Sequence, residues 1–172
     1  MTGHLTLGIV QGRLTHAPLG KLQWFPQELW REEFRLARTL GYQYIEMVAE
    51  REHNEHNPIW SHSGIEEIKQ LIDQNGLMVY AFCDDYIINH SLLTDPSAVN
   101  QTLRFLEQGK KLGVKKLVYP LFEESELNEG NGYKYKPMLK DIASAAQENG
   151  IMLCLETVLN GQALLRFLEA FD

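Results

Sequence analysis

The feature that most limits how this chain folds is a spacing of glycines. Gly41, Gly76, Gly113 and Gly150 lie 35, 37 and 37 positions apart, and each separates a helical apolar stripe from a short apolar run. Trp30, Phe34 and Ala37 form the first stripe, with Leu29, Leu36 and Leu40 beside it. Ile65, Ile68 and Ile72 form the second, Val99, Leu103 and Leu106 the third, and Leu139, Ile142 and Ala146 the fourth. Steps of three and four residues put such side chains on one helix face. A glycine just past the stripe suits the left-handed residue that ends a helix, because it has no Cβ to clash there. Pro26 suits the first turn of its helix, as does Pro96 after Asp95.

The runs that follow the glycines, YQYIEMVA, LMVYAF, VKKLVYPL and IMLCLE, are nearly continuous in apolar character. That suits strands covered on both faces of a parallel sheet. Residues 5–10 add a strand at the start, and residues 162–171 add a last helix with Asn160 as its N-cap. The chain therefore reads as five β-α units in a single α/β domain, residues 1–172. Turns leading into strands are one or two residues long, whereas the long irregular stretches, 11–25, 50–63 and 122–132, all follow strands. Strand C-termini are where α/β proteins place their binding loops.

Two architectures accommodate five units. One is an open flavodoxin-like parallel sheet, which has this length; the other is an incomplete (β/α)8 TIM barrel, whose full form takes about 250 residues. Periodicity does not separate them, and length alone favours the open sheet. The loop after the first strand, GIVQGRLTHAPLGK, lacks both GxGxxG and GxxxxGK[ST], so nucleotide binding has little support.

Charge narrows the partners. A formal net charge of −7 disfavours duplex nucleic acid and anionic membranes. No apolar stretch approaches the roughly 20 residues that span a bilayer, and residues 1–10 lack a signal-peptide pattern. The expectation is a cytoplasmic protein with no nucleic-acid or membrane partner. Cys83 and Cys154 lie in or beside apolar runs and read as buried free thiols.

Five stretches carry a resemblance: LGIVQGRL, YIEMVAE, NPIWS, AFCDDY and IMLCLE. Their order and their places at strand ends resemble the xylose-isomerase-like TIM barrels, the sugar-phosphate isomerase/epimerase group. L-ribulose- and L-xylulose-phosphate 3-epimerases and hydroxypyruvate isomerases belong to it. The likeness spans the chain but only the first five of the family's eight units. It implies a metal-dependent isomerase or 3-epimerase of a small sugar or sugar phosphate, working through an enediolate and expected to be a homo-oligomer. It also implies one divalent ion (Mn, Mg or Zn) with Glu156 as ligand, the other three ligands lying beyond Asp172. Glu156 would double as one of a pair of proton-shuttling carboxylates. Rival readings are an AP-endonuclease-like metal phosphodiesterase and a non-catalytic half-barrel that dimerises.

Individual residues sharpen these expectations. Glu156 ends an apolar strand, where a bare carboxylate is costly to bury. Glu46 sits inside a strand, so it either points into the mouth toward substrate or makes a buried ion pair, with Arg13 as the partner. Arg13 offers a fork for a phosphate or carboxylate. His53, His56 and His62 share a loop rich in glutamate, and His62 is the one expected to line a pocket. Asp84 is assigned to substrate binding within Cys83-Asp84-Asp85, where strand alternation lets only one aspartate face the mouth. Trp24, Phe25 and Trp60 are candidates for an apolar wall.

Overall fold

The computed structural model describes residues 6–21, 23–169 and 171. Five strands, β1 (Gly8–Val10), β2 (Tyr44–Ala49), β3 (Met78–Asp84), β4 (Lys116–Leu121) and β5 (Met152–Thr157), alternate with helices. The helices are α1 (Trp30–Thr39), α2 (His62–Asn75), α3 (Tyr86–Asn89), α4 (Pro96–Leu112), α5 (Gly132–Glu148) and α6 (Gly161–Glu169). The helix expected over 162–171 is α6, and the Asn160 Oδ1 accepts from the Ala163 amide at 3.0 Å.

The sheet settles the architecture. All pairings are parallel and the spatial order is β1-β2-β3-β4-β5. A flavodoxin-like sheet reverses direction at a switch point and has its first strand inside, in the order 2-1-3-4-5. A strictly sequential order is what consecutive units of a barrel produce. The open-sheet alternative is therefore set aside.

The two faces of this sheet differ. Ile45, Met47, Phe82, Leu117, Tyr119 and Leu121 join Phe34, Ala37, Ile65, Ile68, Phe105, Leu139 and Ile142 in one buried core. Phe82 stacks on Phe105 of α4 with ring centroids 4.2 Å apart. The alternate residues, among them Tyr44, Glu46, Lys116, Cys154 and Glu156, are half-buried or exposed. Continuous apolar character suggested cover on both faces, but helices pack on one only. Gly8 is required by this arrangement, since a Cβ there would lie 1.8 Å from the Tyr44 ring.

Several boundaries differ from expectation. Of the strand expected over residues 5–10, Gly8–Val10 is observed, and Leu5 lies outside the described residues. Pro26 is not in a helix: the Leu29 amide donates to its carbonyl at 2.8 Å in a turn, and α1 starts at Trp30. In α4 the buried stripe is Ala98, Thr102, Phe105 and Leu106, with Leu103 partly exposed, because Phe105 takes the contact with Phe82. Asp95 caps α4 as expected, accepting from the Ser97 amide. All four repeat glycines have positive φ, between 60° and 86°. Both cysteines are free, but Cys154 is only partly buried because β5 is an edge strand. Among the described residues no helix is long and apolar enough to cross a membrane.

Candidate functional site

The loop after β1 is anchored before any site can form. Glu33 of α1 is buried, and its carboxylate accepts from the amides of Gly12, Leu14 and Thr15 and from the Thr15 hydroxyl. Trp24 then donates its indole N–H to the Gly12 carbonyl at 3.0 Å. These bonds hold residues 11–15 and Trp24 together over the C-terminal end of the sheet. Nothing in sequence spacing marks Glu33, because its partners are backbone amides of another segment.

At that end lies a cavity of about 480 Å³, lined by Lys21, Gln23, Arg51, Cys83, Asp85, Pro120, Phe122 and Glu156 among others. A second hollow of about 230 Å³ shares Lys21, Gln23, Arg51 and Asp85 with it and adds Trp24, Phe25 and Val48. Trp24 and Phe25 thus form an apolar wall. Trp60 instead packs between His53 and Phe105, away from these hollows.

Glu156 reaches the cavity from the end of β5, opposite Pro120 of β4. Glu46 sits in the middle of β2, paired in register with Val10 and Ala81. Burial raises its pKa first, and the negative charges of Glu156 and Asp85 raise it further. Burial likewise raises Asp85, helped by Glu156 and opposed by hydrogen bonds from Cys83 and Gln23 and by the charge of Arg51. Asp85 and Glu156 therefore face one space from the ends of β3 and β5, and Glu46, in the middle of β2, feels the charge of both. The Cys83 thiol donates to Asp85 at 3.3 Å, and burial beside these acids holds its pKa far above the usual thiol range. It stays a thiol and is not a nucleophile.

Three expected residues lie elsewhere. Asp84 is fully buried on the opposite face, where the Thr102 hydroxyl donates to it at 2.7 Å and itself lies 3.0 Å from the Tyr119 hydroxyl. The aspartate that lines the cavity beside Cys83 is Asp85, which follows the end of β3 and precedes α3. Arg13 is exposed and forms no ion pair with Glu46 among the described residues, since the loop held by Glu33 turns it outward. His62 opens α2 and is exposed, one turn from Glu66. His53, His56 and His62 make no cluster.

Whether this set fits a divalent ion is decided by the same geometry. Burial and mutual repulsion of Glu46, Asp85 and Glu156 would be relieved by a cation, yet among the described residues no three His, Cys, Asp or Glu side chains come close enough to hold one. The residues present do not fit a closed metal site.

Comparison with known proteins places this geometry. D-psicose 3-epimerase from Clostridium cellulolyticum H10, solved with D-tagatose, superposes with a TM-score of 0.70 at 17% identity, covering 98% of this chain and 60% of that one. A xylose isomerase-like TIM barrel protein from Mycobacterium smegmatis, solved with magnesium, gives 0.67 at 16% identity, covering 86% and 54%. The 3-keto-D-glucoside 4-epimerase of E. coli gives 0.64 at 19% identity, covering 88% and 62%. This chain thus spans between half and two thirds of the length of these structures. A sequence search of curated proteins gave no match. Residues 34–172 match the family model described as a xylose isomerase-like TIM barrel, and the chain belongs to that family.

Proposed function

We propose that this chain carries the proton-transfer side of an isomerase or 3-epimerase of a small sugar or sugar phosphate. The observation that supports it is that Asp85 and Glu156 line one rim cavity, with Glu46 of β2 close enough to feel both charges, in a xylose isomerase-like fold. Removing a proton from the carbon beside a carbonyl leaves an enediolate. Returning it to the opposite face inverts that carbon, and returning it to the neighbouring carbon moves the carbonyl. Both outcomes need a base and an acid on hand together. Glu156, exposed at the strand end, is the base. Glu46 and Asp85 keep their protons to higher pH and supply the acid, a division of roles set by environment. Gln23 and Cys83 orient Asp85. A divalent ion at Glu156 would need donors besides those described, and no step here passes through one.

The test is deuterium exchange in D2O with a panel of ketoses and ketose phosphates, using the natively expressed protein. Loss of the proton signal beside the carbonyl is expected, and Glu156→Gln abolishes it. Absence of exchange with every sugar overturns the proposal.

A half-barrel that pairs with a second copy has one observation in its favour. Among the described residues β5 is bonded only to β4, and Met152, Val158 and Leu165 beside it are more than half exposed. An open strand edge recruits another. A monomeric mass in solution removes that reading. The phosphodiesterase reading has no such support, because its histidines are scattered. Free thiols suit a reducing compartment such as the cytoplasm.

A further inference from the structure

We infer that Arg51 is a positioning residue for the proton transfer: Glu123 and Asn89 hold its guanidinium at the rim as a fixed positive charge beside Asp85, shared between that acid and Glu123. The inference rests on the proton-transfer reading above and adds to it a residue that acts through Asp85. Arg51 lies on the loop after β2, and its head joins three segments. Its Nη1 and Nη2 donate to the two carboxylate oxygens of Glu123, each at 2.8 Å, and Nη1 also donates to the Asn89 Oδ1 at 3.3 Å. Glu123 follows β4 and Asn89 ends α3, so the fork spans the end of β3, where Asp85 stands. Glu123 is the one described non-glycine residue with positive φ, 46°, so the loop after β4 takes an uncommon backbone where its carboxylate meets Arg51.

Arg51 and Asp85 line both hollows together, yet they form no ion pair among the described residues, because Glu123 takes both ends of the fork. The charge still reaches Asp85 and opposes the rise that burial and Glu156 impose on it. Two carboxylates thus compete for one cation. The other groups around Asp85 do not take this part. Glu46 and Glu156 add negative charge, while Gln23 and the Cys83 thiol are neutral donors. Glu50 accepts from Asn54 and Asn57, and Glu52 accepts from Asn89 and lies 3.4 Å from the His90 ring, so both are engaged elsewhere. Lys21 lines both hollows but is exposed, and no ion pair among the described residues fixes it.

The sign of each change follows from this sharing. A nearby cation favours the ionised carboxylate, so without Arg51 the Asp85 acid keeps its proton to higher pH. Without the Glu123 charge the fork is free to turn to Asp85, which then gives up its proton at lower pH. The two halves of one ion pair therefore act in opposite directions, whereas a merely structural pair gives the same loss from either side.

Two readouts test this on the natively expressed protein: NMR titration of isotope-labelled aspartate carboxyls, with Asp85→Asn assigning the signal, and the pH profile of proton exchange at the sugar carbon. In Arg51→Gln the Asp85 carboxyl titrates at higher pH, and the alkaline limb of the profile, where the acid loses its proton, moves up with it. In Glu123→Gln both move down. Arg51→Lys restores most of the shift, because the charge and not the fork acts on Asp85, and the effect shrinks as salt is raised. Shifts of the same sign in Arg51→Gln and Glu123→Gln, or an Asp85 titration that moves in neither, overturn the inference. An alkaline limb that stays while the titration moves hands the acid role to Glu46 and overturns it too. The titration needs no turnover, so absence of exchange with every sugar sinks the isomerase reading and is distinguishable from a failure of Arg51 to act on Asp85.

Discussion

The helix-packed face of the sheet and its C-terminal rim use the same residue types for opposite ends. Asp84 and Asp85 are adjacent, yet one is sealed under α4 with Thr102 and the other faces the cavity with Cys83 and Glu156. On the packed face, polar groups are satisfied locally and apolar area dominates. On the rim, carboxylates from several strands are left facing one another. Repulsion that Arg51 offsets only in part has no structural use, so a rim of this kind points to a ligand.

The sharpest test of this contrast is Glu156→Gln. Turnover is expected to fall about 10²- to 10⁴-fold, the range for a lost general base, with no change in Tm, because Glu156 is exposed and supports no core residue. A matching loss of stability would move Glu156 to the structural side. Phe105→Ala should do the converse. Phe105 is fully buried and stacked on Phe82, so its truncation costs about 3–5 kcal/mol in a denaturant titration. Normal kcat per folded molecule would show that the packed face does not reach the chemistry.

Glu33→Ala probes the seam between the two. The substitution strands the buried Gly12 amide and frees the loop that carries Lys21, Gln23 and Trp24. Stability should drop by about 2–3 kcal/mol, and KM should rise with it. Raised KM without lost stability would mean that the loop is held by other means.

Much of this fold was legible, and the reasons for the exceptions are physical. The glycines announced helix ends because no other residue sits easily at positive φ. Sheet order was not legible, because five units obey the same periodicity in either architecture; LGIVQGRL and IMLCLE carried that distinction through family likeness. Alternation limited the mouth to one aspartate but did not say which. Phe82 held the clue: as a large aromatic it had to enter the core, and Asp84, two positions on, follows it there. Without that clue, alternation alone does not separate Asp84 from Asp85. Arg51 was hidden in the charged run AEREHNEH, which resembles a solvated loop. Its value comes from Glu123, 72 positions away, and no local pattern records that pairing.

Asp84 gives the smallest effect and the finest comparison of the two faces. Burial lifts its pKa to about 7, with the Asp85 charge adding to the rise and the Thr102 and Tyr86 hydrogen bonds opposing it. An unfolded aspartate releases its proton near pH 3.9 or so. Between those values the folded state holds a proton that the unfolded state has lost, so stability falls as pH rises. The slope approaches about 1.4 kcal/mol per pH unit and levels off once the folded group has ionised, above about pH 7. Over the range from about pH 5.5 to 7 the loss should reach about 2 kcal/mol. Asp84→Asn cannot ionise and should remove that share of the slope in urea midpoints measured across the range. Glu46, Glu50 and Asp85 are raised in the same direction, so the slope that persists in Asp84→Asn belongs to these carboxyls of the rim. An unchanged slope in Asp84→Asn would assign the whole pH dependence to the rim and leave the buried carboxyl ionised inside the core, which its lone unpartnered Oδ1 argues against.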